Sequence, residues 1–258
     1  MKTQFHKCGK NFPAKKRIKN LMPVHNIFPT PVYAKQLLGS KQGEINQELY
    51  SVYKPDKMVK NTHTYNHTSS HQVSCDDEGN MFSTNIVKET PKFAKFLEDC
   101  TLDYQRQLGM GSPIPFAITE SWFTKTTKGQ HAPIHAHGNS DISGVYYLQT
   151  NGSDGELVLK NPLTCANNNI IMFLNSMRWG EKRMPLKEGL LLMWPAFLEH
   201  GTYINQTPDD RISFSFNVTV STPPYISTKS NAETKAHFYE PQMLPNQWKS
   251  LENKQSPQ

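Results

Sequence analysis

No run of apolar residues in this 258-residue chain approaches the roughly 18 needed to cross a bilayer. Met1 to Asn20 also lacks the apolar stretch of a secretory leader. A membrane-spanning protein is therefore excluded from expectation, and a soluble, cytoplasmic chain is expected. Cysteine is scarce: Cys8, Cys75, Cys100 and Cys165 are widely scattered and form no CxxC pair. That spacing excludes a disulfide framework and a thiolate zinc knuckle, leaving ordinary thiols in a reducing compartment. Acidic residues are missing from one region only. No Asp or Glu precedes Glu44, whereas nine Lys/Arg do. Set against totals of 28 Lys+Arg and 22 Asp+Glu, those nine leave the rest of the chain slightly acidic. The basic pI thus describes an arm. Such an arm could touch nucleic acid, but a solvated terminus explains it more simply, so a nucleic-acid partner is not expected.

The organisation expected is a basic arm over 1–25, one folded domain over 26–220 and a C-terminal extension over 221–258. Asn26 to Tyr33 is Pro-punctuated and reads as an extended leading segment. Glu44 to Tyr53 can form a short helix stopped near Pro55, and the polar stretch from Lys60 to Gly79 reads as a long surface loop. Residues 90 to 108 carry the clearest helix. Thr90 is placed to cap it and Pro91 sits in its first turn. Phe93, Phe96, Leu97, Cys100, Tyr104 and Leu108 form one apolar stripe, and Gly109 ends it. That stripe needs a partner surface, most simply a sheet.

From residue 116 the pattern changes to short runs rich in β-branched and aromatic residues. They are 116–124, 142–149, 156–160, 190–194 and 211–220, separated by Gly, Asn, Asp and Pro. Strands following helices predict a mainly β protein, a jelly-roll or barrel with supporting helices on one side. The excursion from Pro162 to Lys187, with Met177 and Trp179, is long enough to be functional.

Chemistry-bearing residues gather in the strand-rich half. In His135-Ala136-His137 the two imidazoles share one face if the segment is extended, because side chains alternate along a strand. His200 follows an apolar run. In Arg211-Ile212-Ser213-Phe214-Ser215-Phe216-Asn217, Arg211, Ser213, Ser215 and Asn217 alternate with apolar residues. A polar face headed by arginine suits a dicarboxylic acid, since guanidinium grips a carboxylate through two parallel hydrogen bonds. Tyr147 could add a phenol donor.

Other residues have plainer readings. His63, His67 and His71 recur every four residues in a helix-poor setting and do not predict a metal site. His131 suits a solvated loop as well as a substrate contact. Trp122 and Phe123 read as core. Glu120 could serve as an acid or base, and exposure explains it equally well.

Taken together, His135-x-His137, Ser143-Gly144-Val145-Tyr146-Tyr147-Leu148, Trp194-Pro195 to His200 and Arg211-Ile212-Ser213 resemble the 2-oxoglutarate/Fe(II) oxygenases of marine bacteria and their phages. These are relatives of the prolyl-hydroxylase-like enzymes. The likeness spans roughly residues 26 to 220. It implies a double-stranded β-helix (a cupin-like jelly-roll) with iron at the barrel mouth. It also implies a hydroxylase that consumes 2-oxoglutarate and O2 and releases succinate and CO2. The superfamily holds iron with two histidines and one carboxylate in the order HxD/E…H. By position, His135 and His200 are the histidine ligands, and His137 stands where the carboxylate would be. The resemblance therefore implies His135, His137 and His200 as ligands, with Asp141 in reserve from the following turn. Arg211 matches the cosubstrate anchor, and Ser215 and Tyr147 match positions that assist it.

The missing carboxylate keeps two other readings open: a jelly-roll binding module without catalysis, and a three-histidine cupin-type dioxygenase that does not use 2-oxoglutarate. The substrate and the oligomeric state are not legible from the sequence.

Overall fold

A computed structural model describes residues 30–61, 67–75, 81–162 and 180–220. The basic arm, the C-terminal extension, His63, Met177 and Trp179 lie outside the described residues.

The order of elements is β1 (Tyr33–Gln36), α1 (Gly39–Val52), β2 (Val59–Asn61), β3 (His67–Ser69), β4 (Val73–Cys75), β5 (Met81–Ser83) and α2 (Pro91–Gln107). Next come β6 (Phe116–Thr126), β7 (Ile142–Gln149), β8 (Leu157–Lys160), β9 (Glu181–Met184), β10 (Leu190–Pro195), β11 (His200–Thr202) and β12 (Arg211–Val220). Seven strands form one antiparallel sheet in the order β1-β10-β7-β12-β6-β3-β2, and three form a smaller sheet, β11-β8-β9. β4 and β5 make a separate hairpin. The architecture is mainly β, a double-stranded β-helix backed by two helices.

Strand alternation divides the large sheet into two faces. Tyr146 and Leu148 of β7, Leu191 and Met193 of β10, and Phe214 and Phe216 of β12 pack in one cluster with Phe93, Phe96, Leu97, Cys100 and Tyr104 of α2. The apolar stripe of α2 thus lies on the sheet, as its spacing predicts, with the Phe93 ring 5.0 Å from Phe214 and 5.2 Å from Tyr146. The other face sends Val145, Tyr147, Leu192 and Trp194 toward Leu157 and Leu159 of the small sheet. A Cβ at Gly144 would overlap the buried ring of Phe216.

Three expectations change. First, α1 begins five residues earlier than Glu44. Second, Thr90 does not cap α2 through its side chain; its hydroxyl donates back to the Val87 carbonyl at 3.1 Å. The cap comes from α1, where the Glu48 carboxylate accepts the backbone N–H groups of Lys92 and Phe93 at 3.0 and 2.7 Å. An acceptor from another element satisfies the helix start equally well. Third, part of the supposed loop 60–79 is strand. β3 pairs with β6 through Thr68↔Lys125 and Ser69↔Thr124. Its residues are polar because they border a cavity, so the apolar alternation that marks a strand is missing.

Candidate metal and cosubstrate site

The polar face of β12 looks into a cavity of about 1040 Å³ between the two sheets. Arg211, Ser213, Ser215 and Asn217 line it from β12, Tyr147, Val145 and Ser143 from β7, and Thr124, Trp122 and Glu120 from β6. The registers Ser213↔Tyr147, Asn217↔Ser143 and Asn217↔Glu120 put these side chains side by side.

At one part of the wall the three histidines meet. The segment carrying His135 bridges to β11: His135 N–H donates to the His200 carbonyl at 2.9 Å, and His200 N–H returns the bond at 2.8 Å. His137 N–H donates to the Ala196 carbonyl at 3.0 Å. Backbone bonds thus fix the HxH segment against the chain around His200. One ring nitrogen of each of His135, His137 and His200 lies within 4.8 Å of the other two.

The hydrogen bonds decide which nitrogens these are. His135 Nδ1 is 2.8 Å from the Pro133 carbonyl, and His200 Nδ1 is 2.8 Å from the Leu198 carbonyl. A carbonyl only accepts, so both Nδ1 atoms carry the proton and both Nε2 atoms keep their lone pair. His137 Nδ1 lies 2.7 Å from Asn217 Oδ1 and 3.0 Å from Ser143 Oγ. With all three Nδ1 atoms engaged, the Nε2 atoms are the metal donors the set can offer. Burial favours the neutral form of two of the rings. It pushes His200 down to about 3, with the neighbouring His135 adding to the shift, and it lowers His135 as well. Three imidazoles with their outer nitrogens tied suit a first-row divalent metal, so the residues present fit Fe(II). Trp194 packs edge-on against His200, with ring centroids 4.9 Å apart.

Arg211 stands on the same cavity, 2% exposed. Its Nη1 donates to the carbonyls of Asp154, at 2.9 Å, and Gly155. Its Nη2 donates to Thr126 Oγ1 at 3.1 Å and Thr202 Oγ1 at 3.3 Å. Among the described residues no carboxylate lies within 4.0 Å of the guanidinium. A buried cation bordered by carbonyls and hydroxyls on a cavity wall has the chemistry to receive an anionic ligand. Burial raises the Tyr147 phenol, against a smaller opposite pull from Arg211, so Tyr147 remains a neutral donor. Ser215 lines the cavity and is half-buried.

The model of the family described as "Putative 2OG-Fe(II) oxygenase" matches residues 120–217, the span that holds all three histidines and Arg211. Over that span the chain matches the 2-oxoglutarate/Fe(II) oxygenase family. It is an enzyme of that class, with Fe(II) and 2-oxoglutarate as its cofactor and cosubstrate. No curated relative matches the sequence. Among solved structures the oxygenase is similar to SnoN, the non-heme alpha ketoglutarate dependent epimerase from nogalamycin biosynthesis. The identity is 12%, the TM-score 0.51, and the match covers 80% of this chain and 87% of that one. This likeness shows the fold. The oxygenase is also similar to a Pseudomonas putida prolyl-4-hydroxylase, at 12% identity and TM-score 0.48, over 75% of this chain and 94% of that one. A third similar structure is HygX from Streptomyces hygroscopicus with nickel, 2-oxoglutarate and hygromycin B bound. There the identity is 15% and the TM-score 0.47, over 76% of this chain and 84% of that one.

Several sequence expectations are placed differently. Asp141, the reserve ligand, is exposed, and its Oδ2 accepts the Val220 N–H at 2.7 Å, away from the histidine cluster. Its position in the turn before β7 commits its carboxylate to the end of β12. Trp122 is not core. It lines the cavity with His71, ring centroids 4.6 Å apart, while Phe123 alone faces inward. His67 and His71 line the cavity too, on β3 and just after it, but do not join the cluster. His131, half-buried, is not among the residues lining the cavity. The residues that sequence reasoning passed over are Asn217, Ser143 and Glu120 as partners of His137. The period-2 alternation of β12 put Asn217 on the right face; only the register with β6 and β7 shows what it touches.

No helix among the described residues is long and apolar enough to cross a membrane.

Proposed function

We propose that His135, His137 and His200 hold Fe(II) through their Nε2 atoms, and that Arg211 anchors 2-oxoglutarate by its distal carboxylate, so that the enzyme hydroxylates a small-molecule or peptidyl substrate. The observation that carries the ligand set is the engagement of all three Nδ1 atoms beside three clustered rings. Bound iron with 2-oxoglutarate and O2 supplies oxidative decarboxylation to succinate and CO2, coupled to oxidation of a C–H bond.

The chain's own contribution is positional. The backbone bridge between His135 and His200 holds two ligands in register before metal arrives. To bind a carboxylate, Arg211 Nη2 would exchange its bonds to the Thr126 and Thr202 hydroxyls for it, and Tyr147 and Ser215 stand on the adjoining wall. A buried guanidinium on the cavity wall, with no carboxylate within 4.0 Å among the described residues, favours use of 2-oxoglutarate over a three-histidine dioxygenase that dispenses with it. A cytoplasmic setting belongs to the same proposal, consistent with the free, buried thiol of Cys100.

The test is succinate formation from 2-oxoglutarate by the Fe(II)-loaded protein under air, with a panel of candidate substrates. The expected result is formation that requires Fe(II) and disappears in His200→Ala. Unchanged formation in that variant contradicts the ligand set.

A further inference from the structure

His137 occupies the place where the superfamily has a carboxylate, and it differs from its two partners in what holds its outer nitrogen. His135 and His200 lean on backbone carbonyls, whose direction is fixed. His137 leans on Asn217 Oδ1 at 2.7 Å, and an amide side chain can turn over, offering N–H₂ where the oxygen was. The far end of Asn217 settles the question. Its Nδ2 lies 2.6 Å from Glu120 Oε2. A carboxylate oxygen only accepts, so the amide must give its N–H₂ group to Glu120 and its oxygen to His137. Ser143 Oγ donates to the same oxygen at 3.1 Å. With Oδ1 as acceptor, His137 Nδ1 must be the protonated nitrogen, and the Nε2 lone pair is left for metal.

We infer that Glu120 is a positioning residue that, through Asn217, locks His137 in its metal-binding tautomer. The inference rests on the three-histidine reading above. It also accounts for charge: a site that has exchanged a carboxylate ligand for a neutral imidazole keeps a carboxylate two hydrogen bonds behind that imidazole, which raises the ligand's basicity. The register Asn217↔Glu120 on β12 and β6, and Asn217↔Ser143 on β12 and β7, makes the arrangement a property of the sheet rather than of a loop.

Two readouts test it, neither of them turnover. The first is the ¹⁵N chemical shifts of the His137 ring in the metal-free protein, which report which nitrogen is protonated. The second is anaerobic titration with Fe(II). In the wild type His137 is expected in the Nδ1–H form. In Glu120→Gln the new amide can either give or take a hydrogen bond, so Asn217 can turn over. The Nδ1–H population should fall and Fe(II) affinity weaken by about 10- to 100-fold, the usual range for such outer partners. Combining Glu120→Gln with Asn217→Asp moves the carboxylate one place nearer. The amide introduced at position 120 then donates, and the carboxylate introduced at position 217 accepts from His137, so the Nδ1–H form and most of the affinity should return. A merely structural role for Glu120 predicts no such rescue. Wild-type tautomer and affinity in Glu120→Gln overturn the inference, as does a double variant no better than the single one. Failure of the wild type to bind Fe(II) with His200 intact overturns the ligand set instead, and the nitrogen shifts still judge the lock.

Discussion

At the scale of single residues, the site depends on ionisable side chains buried at the cavity wall. Arg211 is the clearest case. Lysine keeps the charge but cannot present a planar pair of donors. Arg211→Lys should therefore weaken 2-oxoglutarate binding to the anaerobic Fe(II) protein by about 10- to 100-fold, corresponding to roughly 1.5–3 kcal/mol for a charged hydrogen-bonded contact. Fe(II) affinity should be unchanged. Calorimetric titration of each ligand separates the two effects.

The buried imidazoles carry a pH dependence. Burial holds His67 down to about 4 and His200 down to about 3, whereas the unfolded chain takes up a proton on each near the ordinary histidine value of 6.5. The folded pKa lies below the unfolded one, so the stabilisation is complete above about pH 6.5 and is lost as the pH falls. The slope is roughly 1.4 kcal/mol per pH unit for each withheld proton. Urea unfolding of the metal-free protein at pH 7, 6 and 5 should show this decline. His67→Gln should flatten it by about one proton's worth; an identical slope in the variant would contradict the assignment.

At the scale of elements, α2 and the large sheet stand or fall together. Phe93 is fully buried against Phe214 and Tyr146, behind the strands whose opposite face forms the cavity. Phe93→Ala should cost about 3–5 kcal/mol and lower the melting temperature, while the folded fraction retains its Fe(II) affinity. Gly144→Ala should also destabilise, because the added methyl group meets the Phe216 ring. The helix and the five main strands were legible because each has one buried and one polar face, or an apolar run between turn residues. β3, β9 and β11 were not. They are short, and β3 takes its polar residues from its place at the cavity margin. The cap on α2 escaped for a different reason: its acceptor, Glu48, is 45 residues away from Phe93 in sequence.

At the scale of the whole molecule, two sheets enclose one cavity that joins the histidine cluster to Arg211. The order of the motifs, and the family resemblance that order carries, nominated His135, His137, His200 and Arg211. It could not decide between His137 and Asp141. That choice depends on where the turn before β7 sends its side chains, and Asp141 is drawn off by the Val220 N–H. Nor could it show that Glu120 stands behind His137, since that follows from the register of β6 against β12.

The central claim is that one cavity binds iron on three histidines and 2-oxoglutarate beside it. The most direct measurement is the visible spectrum of the protein titrated without oxygen. A weak charge-transfer band should appear only when Fe(II) and 2-oxoglutarate are both present, and it should vanish in His137→Ala. A band that survives in His137→Ala, or no band with both ligands bound to the wild type, would contradict the account.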